Sequence, residues 1–384
     1  MLTRFSAIFL MHNAAVVAPL PSNPNLDVAY LEAWAAVDVD TPAILTIPRI
    51  DDRYYTAQLI DEWGEVIVNI NERTFPDHPY GTFALIAPGS TPAIPGDAVV
   101  IELHSNKAKL LARVELRDDW DGAVELQRRF ALDSAGPTSI APPIGVPMFA
   151  NDELLGVEAF EFAGAVLESA PDVSPVAARQ ADSVSAICRY VESGAAARAE
   201  IDELLRHTIV PDFLRHAVTH AGQFENHWLA TLTVGNYGEQ FWTRTAANLV
   251  GIWANSATEV VYFIATSDAD GQPLDGRHTY RIRFDANHLP DTVVNSYWSI
   301  VLVSLPDYRV VPNQNDRYNL NSYSDLTIND DGTLDLTFGP TDESSNNWLP
   351  TPPLGAFSLT LRTYVPKTIV TAGDWFPAPI QRQD

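Results

Sequence analysis

The sequence predicts a mainly β protein in which two antiparallel β-sandwich or jelly-roll-like domains are joined by an α-helical segment. Short apolar runs separated by Pro, Gly and acidic turns fill residues 1–134. Helical spacing of apolar residues replaces this pattern at residues 148–222. Alternating apolar residues then return over residues 223–384. These three ranges are the predicted N-terminal β domain, helical segment and C-terminal domain.

Composition and charge limit the class of function. The chain has 384 residues, too many for one ordinary core, and 46% of them are hydrophobic. Its 49 acidic and 24 basic side chains give a net charge of −25. Such a surface repels phosphate backbones and anionic lipid heads, so we expect no nucleic acid and no membrane as partners. The sequence leaves open whether the protein forms a homo-oligomer.

The expected location is the cytoplasm. The single cysteine, Cys188, excludes an intramolecular disulfide framework. No apolar run approaches the roughly 20 residues that cross a bilayer. Residues 1–10 carry one basic residue and a short apolar patch, and we expect them to form the first helix of the fold. A signal peptide is the alternative for this segment.

The N-terminal domain is predicted from runs of apolar and β-branched residues with turn residues between them. Strands are expected at residues 41–47, 54–60, 66–70, 81–86, 99–103 and 110–116. Asp118 and Asp119 then place carboxylates at the positive end of a helix that continues to about Phe130. The recurrence of short strands favours a sandwich over a βαβ fold.

The helical segment follows a stretch rich in Pro, Gly and Ser at residues 135–147, which predicts the domain boundary. Amphipathic helices are expected at residues 152–168, 174–192 and 195–208. We expect their apolar side chains to form a bundle core.

The C-terminal domain is predicted from strands at residues 228–234, 260–266, 298–303 and 359–365, with a helix over residues 237–256. Asp-Gly turns at residues 268–271 and 330–332 predict hairpins. The second turn is expected to join residues 326–328 to residues 334–336.

An ordered series of short motifs resembles two bacterial families, DUF1254 and DUF1214. The N-terminal matches are Asn25-x-Asp27-x-x-Tyr30, Arg53-Tyr54-Tyr55-x-x-Gln58-x-x-Asp61, Arg113 and Leu126-Gln127. The C-terminal matches are Arg244, Asn255, Glu259-x-x-Tyr262, Asp270-Gly271-x-Pro273, Tyr297-Trp298-Ser299, Asn315-x-Arg317-Tyr318, Asn347-Trp348-Leu349-Pro350 and Leu361-Arg362-x-Tyr364. The resemblance implies two β-sandwich parts with a helical portion, and it names no reaction.

The motifs also supply the candidate site. Asp61 and Glu259 lie among aromatic residues, where desolvation would raise the pKa of a carboxyl group and suit it to acid/base catalysis. Tyr318 or Tyr55 would donate a hydrogen bond, and Arg317 would stabilise an anion. The predicted substrate-binding residues are Tyr30, Tyr55, Arg244, Asn255, Tyr262 and Trp298.

The leading hypothesis is an enzyme of hydrolase, lyase or isomerase type that acts on a small, partly apolar molecule. No cofactor is expected, because the sequence has no Gly-rich phosphate loop, Rossmann fingerprint or Gly-x-Ser-x-Gly elbow. The alternative is a non-catalytic carbohydrate- or ligand-binding or assembly protein, since such sandwiches serve many functions.

A metal-dependent enzyme is a weaker third hypothesis. His216 and His220 are four residues apart, a spacing that places two imidazoles on one helix face. Asp268, Asp270 and Asp275 offer oxygen ligands, but no acidic residue closes a calcium loop. We therefore expect solvent-facing histidines, an ordinary turn and no metal site.

Overall fold

The computed structural model describes residues 24–138, 144–147, 149, 153–220, 222–250, 253–313, 316–341 and 345–384. The helix expected at residues 1–10 lies outside these ranges.

The N-terminal domain is a sandwich of two four-stranded sheets. Its elements are β1 (Val28–Ala36), β2 (Ala43–Ile47), β3 (Tyr55–Ile60), β4 (Val66–Ile70), β5 (Gly81–Ile86), β6 (Val99–Glu102), β7 (Lys107–Glu115), α1 (Trp120–Arg128) and β8 (Ala131–Ser134). The strand orders are β1-β7-β3-β4 and β6-β5-β2-β8. Alternate residues of both sheets, such as Leu59, Leu110, Leu45 and Phe83, form one core between them.

The helical segment has the predicted character. It comprises α2 (Ala159–Ser169), α3 (Ala177–Glu192), α4 (Ala195–Leu204), a π-helical turn (Leu205–Ile209) and α5 (Val210–Thr219). The expectation that the last helix ends near residue 208 is wrong. The π-helical turn links α4 directly to α5, and the helix continues past Pro211, which immediately follows this turn, to Thr219.

The C-terminal domain is a second sandwich. Its elements are β9 (Gln223–Glu225), β10 (Trp228–Ala230), α6 (Phe241–Val250), β11 (Val260–Ala265), β12 (Tyr280–Phe284), β13 (Trp298–Ser304), β14 (Arg309–Val310), β15 (Asn319–Asn321), β16 (Leu334–Gly339), β17 (Trp348–Pro350), β18 (Phe357–Tyr364), α7 (Thr368–Thr371) and β19 (Gln381–Arg382). One sheet has the order β14-β13-β18-β11-β10-β9, with β15 also paired to β13. The other has the order β17-β16-β12-β19, and the core lies between the two.

Three differences from the sequence predictions have local causes. The strand β1 was not predicted, because its inward positions are mostly alanines, which carry little strand signal. The helix α6 is shorter than residues 237–256, and Gly235 and Gly238 adopt positive φ before it begins. The turn at Gly332 exists, but β16 pairs with β12 and β17 rather than with residues 326–328.

The turn at residues 268–271 follows the prediction. The Asp268 carboxylate accepts hydrogen bonds from the backbone N–H groups of Asp270 and Gln272, at 3.0 and 2.9 Å. The Leu274 N–H donates to the Thr266 carbonyl across the turn at 3.0 Å. These bonds are typical of an aspartate-stabilised turn.

The outer faces of two sheets meet between the domains. In the N-terminal sheet, Tyr30, Arg113 and Thr56 stand side by side on β1, β7 and β3. In the C-terminal sheet a matching row consists of Tyr262, Arg362, Ser299 and Asn321. Because side chains alternate across a strand, the apolar neighbours of each row fill a sandwich core while the rows face the other domain.

Candidate functional site

Glu259 is the centre of a hydrogen-bond cluster between the domains. It precedes β11, and its side chain is 3% exposed. The Asn71 amide donates to Oε1 at 3.0 Å, and the Tyr54 hydroxyl donates to Oε2 at 3.2 Å. Arg73 Nη2 forms an ion pair with Oε2 at 2.7 Å. All three partners belong to the N-terminal domain, so Glu259 ties the two domains together.

Three tyrosine rings pack beside this cluster. The rings of Tyr297 and Tyr364 stack with centroids 4.0 Å apart, and Tyr54 meets Tyr364 edge-on at 5.4 Å. The Asn25 amide donates to the Tyr364 hydroxyl at 2.7 Å. Burial raises the pKa of all three tyrosines well above its ordinary value. The hydroxyl groups therefore stay protonated near neutral pH.

A pocket of about 250 Å³ opens between the domains at one edge of this interface. Its walls combine the start of β1, the end of β7 and the loop after it with residues of the C-terminal sheet around β13 and β15. The lining residues are Leu26, Asp27, Glu115, Leu116, Arg117, Asp118, Tyr297, Asn319, Asn321, Tyr323 and Ser324. Most of them are polar, and both domains are needed to form the pocket.

Asp27 is a buried carboxyl group in the wall of the pocket. Its Oδ1 accepts hydrogen bonds from the amides of Asn319 and Asn321, at 2.7 and 3.1 Å. Its Oδ2 is buried and makes no well-aligned hydrogen bond within the described part of the chain; the buried Ser299 hydroxyl, which is also unpaired, interacts with the same carboxyl group. Burial raises the pKa of Asp27 above 3.8, and this effect outweighs the opposing effects of Ser299 and Arg362.

A second buried carboxylate lines the same pocket. Oε2 of Glu115 accepts hydrogen bonds from the backbone N–H of Tyr54 at 2.8 Å and from Arg117 Nε at 3.2 Å. Oε1 is buried and makes no well-aligned hydrogen bond among the residues described, although the Tyr323 hydroxyl interacts with the same carboxylate. The negative charge of Glu115 adds to the rise in the pKa of Asp27. Two carboxylates that influence each other in a pocket are a common basis for proton transfer.

Four of the residues predicted from the sequence lie together at the interface: Glu259, Asn255, Tyr30 and Tyr262. Asn255 is fully buried, and its amide donates to the Tyr54 hydroxyl at 3.3 Å, which places it beside Glu259. Tyr30 and Tyr262 come from opposite domains and both lie near Arg113, whose guanidinium is 5.3 Å from the centre of the Tyr30 ring.

Asp61 lies apart from this group. It follows the end of β3, whereas Tyr54 precedes the start of the same strand, so roughly 20 Å separates Asp61 from the Glu259 cluster. Its Oδ2 is 2.9 Å from Nδ1 of His104, and Oδ1 accepts the backbone N–H groups of Trp63 and Glu65. The two predicted acid/base residues therefore do not converge.

The other predicted residues also have separate environments. Arg317 donates to the carbonyls of Ser345 and Asn346, and the Tyr318 hydroxyl donates to Asp316. The Tyr55 and Trp298 side chains face the cores of their own sandwiches. Arg244 forms an ion pair with Asp172 at 2.9 Å. These residues do not line the interdomain pocket, and their predicted roles stay predictions.

The sequence reasoning missed the residues that form the pocket. Asp27 lies in the motif Asn25-x-Asp27-x-x-Tyr30, but nothing in that pattern marks its carboxyl group as a site residue. The side chain of Asn25 accepts a hydrogen bond from the Asp27 backbone N–H at 3.0 Å, which explains the spacing of the two. Glu115 ends the strand β7, whose outward positions are polar except for Leu111. This alternation is a weak signal in the sequence that Glu115 faces away from the sandwich core.

His216 and His220 lie side by side at the end of α5, and His216 is half-buried rather than facing solvent as expected, with its Nε2 buried. The rings of His216 and His220 stack with centroids 5.8 Å apart, and His216 also contacts Trp242 edge-on at 5.0 Å. Throughout the described ranges, no three His, Cys, Asp or Glu side chains are grouped so that they could hold a metal ion.

Comparison with protein families identifies the two β domains. A DUF1254 family model matches residues 9–134, and a DUF1214 model matches residues 259–368, both described as proteins of unknown function. The chain combines a DUF1254 domain with a DUF1214 domain. The DUF1254 match ends at the last residue of β8, and the DUF1214 match begins at Glu259.

A solved structure has the same fold as this DUF1254/DUF1214 chain. The crystal structure of the VPA0106 protein from Vibrio parahaemolyticus gives a TM-score of 0.70 at 19% identity, covering 94% of this chain and 90% of that chain. An uncharacterised protein from Burkholderia cenocepacia gives 0.42 at 12% identity, covering 94% and 77%. The search of curated proteins gave no match.

No helix in the described ranges is both long enough and apolar enough to cross a bilayer.

Proposed function

We propose that the protein is an enzyme that carries out acid/base chemistry on a small polar molecule held between its DUF1254 and DUF1214 domains. The observation that carries this proposal is the state of Asp27. One of its carboxylate oxygens is anchored by two asparagine amides, and the other is buried without a well-aligned hydrogen bond among the described residues. No nucleotide cofactor enters the proposal.

The arrangement of Asp27 suits a group that exchanges a proton. The Asn319 and Asn321 amides fix the orientation of the carboxyl group, which leaves Oδ2 to carry the proton. A raised pKa keeps the proton on Asp27 to higher pH and brings the group closer to the range where general acids and bases are efficient. Asp27 is therefore the proposed acid/base, in place of Asp61 or Glu259.

The polar walls favour a polar substrate rather than the partly apolar one expected from the sequence. Pockets for drug-sized ligands usually measure roughly 300–1,000 Å³, so a volume of about 250 Å³ fits a smaller molecule. Glu115, Asn319, Asn321 and Tyr323 supply groups that can orient it.

Untargeted mass spectrometry tests the proposal. A small-molecule extract of source cells is incubated with the protein, with the Asp27→Asn variant and with a control variant at the exposed Asp97, Asp97→Asn. We expect one compound to be converted by the unsubstituted protein and by Asp97→Asn, and at least about 100-fold more slowly by Asp27→Asn. Melting temperatures confirm that all three are folded.

Equal conversion by Asp27→Asn would overturn the assignment of Asp27. A compound that co-purifies or raises the melting temperature without being converted would favour the alternative, a ligand-binding protein without catalytic activity. The same pocket would serve both functions, so turnover alone separates them.

A further inference from the structure

We infer that the molecule bound in the interdomain pocket is a small cationic amine, and that the Arg117 guanidinium occupies the position its ammonium group takes. The inference rests on the proposed use of this pocket and adds the class of ligand to it.

The first observation is the charge of the walls. Asp27, Glu115 and Asp118 line the pocket, and Arg117 is the one basic residue among its lining residues. An anionic ligand would meet a surplus of like charge in a partly desolvated site, whereas a cation would be attracted. The chain as a whole carries a net charge of −25, which acts in the same direction.

The second observation is the set of polar atoms that lack partners. When Asp27 is ionised, its Oδ2 and Glu115 Oε1 are acceptors without a well-aligned hydrogen bond, and the hydroxyl of the fully buried Tyr297 is also unpaired within the described structure. Leaving such atoms buried and unpaired destabilises the empty pocket, because they have lost their hydrogen bonds to water. An ammonium group brings three N–H donors and a positive charge, which is what two carboxylate oxygens require.

The third observation is that Arg117 already makes the contacts of a bound cation. Its Nε is 3.2 Å from Glu115 Oε2, and its guanidinium carbon is 5.5 Å from the centre of the Tyr323 ring. A carboxylate and an aromatic face together are a common binding arrangement for ammonium ions. The chain itself therefore places a cation at this point of the pocket.

The backbone at Arg117 supports this role. Its φ is +49°, in the left-handed region that non-glycine residues rarely adopt. With this backbone conformation, the Arg117 side chain folds back and contacts Glu115, two residues earlier in the chain. The Arg117 side chain is 39% exposed, so it can move into solvent when a bound ammonium group replaces its charge beside the buried Glu115. Arg117 would thus compete with the ligand and be displaced by it.

Three probes of one length distinguish the charge classes: 1,4-diaminobutane, butane-1,4-diol and succinate. Their binding is measured by isothermal titration calorimetry at low salt with the unsubstituted protein, Arg117→Ala and Asp27→Asn. Arg309→Ala is the matched control, because Arg309 is an exposed arginine paired with Asp307 elsewhere on the surface. Its removal changes the net charge by the same amount.

We expect the diamine to bind, and the diol and succinate to bind at least about 10-fold more weakly. Removing the competing guanidinium in Arg117→Ala should tighten diamine binding about 3- to 5-fold, because the diamine then no longer has to displace Arg117 from Glu115. Arg309→Ala should leave it unchanged, and Asp27→Asn should weaken it at least about 10-fold.

The inference is wrong if the diamine fails to bind at millimolar concentration, if succinate binds more tightly, or if Arg117→Ala weakens diamine binding. Its failure is distinguishable from failure of the proposed function. If a neutral or anionic compound is converted in an Asp27-dependent way, the amine inference is wrong and the proposed enzymatic function stands. If the diamine binds but no compound is converted in an Asp27-dependent way, the amine inference stands and the proposed enzymatic function is wrong.

Discussion

The Tyr54 hydroxyl donates a hydrogen bond to Glu259 at 3.2 Å, although the two residues are 205 positions apart in the chain. Tyr54 belongs to the DUF1254 domain, and Glu259 is the first residue of the DUF1214 match. The contact is one of several that bury polar side chains between the two sandwiches. These contacts fix the relative position of the domains and thereby form the pocket that needs both.

Replacing Glu259 with Gln should destabilise the protein. The substitution removes the ion pair with Arg73, whose side chain is only 24% exposed, and it leaves that charge without its buried partner. We expect a loss of about 3 kcal/mol in the free energy of unfolding, measured by urea denaturation. Glu72→Gln is the control, because Glu72 pairs with the same arginine but is 49% exposed, and it should cost less than about 1 kcal/mol. Equal losses in the two variants would contradict the interdomain role of Glu259.

Removing the Tyr54 hydroxyl should also weaken the interface. In Tyr54→Phe, the buried Glu259 and Asn255 side chains each lose a partner, at an expected cost of about 1–3 kcal/mol. Tyr190→Phe is the matched control. Tyr190 also donates to a glutamate, Glu200, but it does so on the surface, where water can replace the lost hydroxyl, so its loss should leave stability almost unchanged. Thermal denaturation of both variants checks the difference.

The stability contributed by Asp27 should depend on pH in a defined direction. Because its native pKa is raised, the folded protein binds this proton more tightly than the unfolded chain. The contribution is therefore complete below the ordinary value near 3.8 and is lost as the pH rises through the native pKa. The free energy of unfolding of the unsubstituted protein, minus that of Asp27→Asn, should decrease from pH 4 to pH 8. A difference that is constant or increases over this range would show that the pKa of Asp27 is not raised in the folded protein.

Gly235 should not tolerate a side chain. It has a φ of +77°, and its carbonyl accepts a hydrogen bond from Val66 N–H at 2.7 Å across the domain interface. A Cβ atom there would lie 2.9 Å from the backbone of Asn255 and Ser256. Gly235→Ala should lower the free energy of unfolding by about 1 kcal/mol for backbone strain and by about 1–3 kcal/mol more for the clash.

Gly89→Ala is the control for this glycine. Gly89 has a similar φ of +66°, but a Cβ atom there would have no neighbour within 4 Å among the described residues. It should show the backbone strain alone, about 1 kcal/mol. Similar losses at both positions, measured by urea denaturation, would mean that the close approach at Gly235 relaxes without cost.

The sequence predicted most of the strands because their local patterns are strong. Residues 66–70 and 81–86 were predicted with the observed boundaries, since turn residues end each apolar run. The alanine-rich β1 was missed, because alanine packs well inside a sandwich without marking a strand. The strand partners of β16 were also predicted wrongly, since the pairing of a strand with residues distant in the chain leaves no signal in a short window.

The candidate site was predicted less completely than the fold, for the same reason. The motifs Asn25-x-Asp27-x-x-Tyr30 and Glu259-x-x-Tyr262 contain residues that meet at the interface, but their spacing does not say which side chains face each other. Asp61 and Tyr54 shared one motif and lie at opposite ends of β3. A strand that separates two residues by several positions carries them apart in space.

The sequence by itself determined the fold class, the two families of β domain and the strong negative charge, because these follow from local periodicity, motif order and composition. Only the tertiary structure decided that Asp27 and Glu115 line one pocket with Asn319 and Asn321. The physical reason is desolvation. A carboxylate that looks ordinary in the sequence acquires a raised pKa and an unpaired oxygen only when a second domain, about 290 residues further along the chain, covers it.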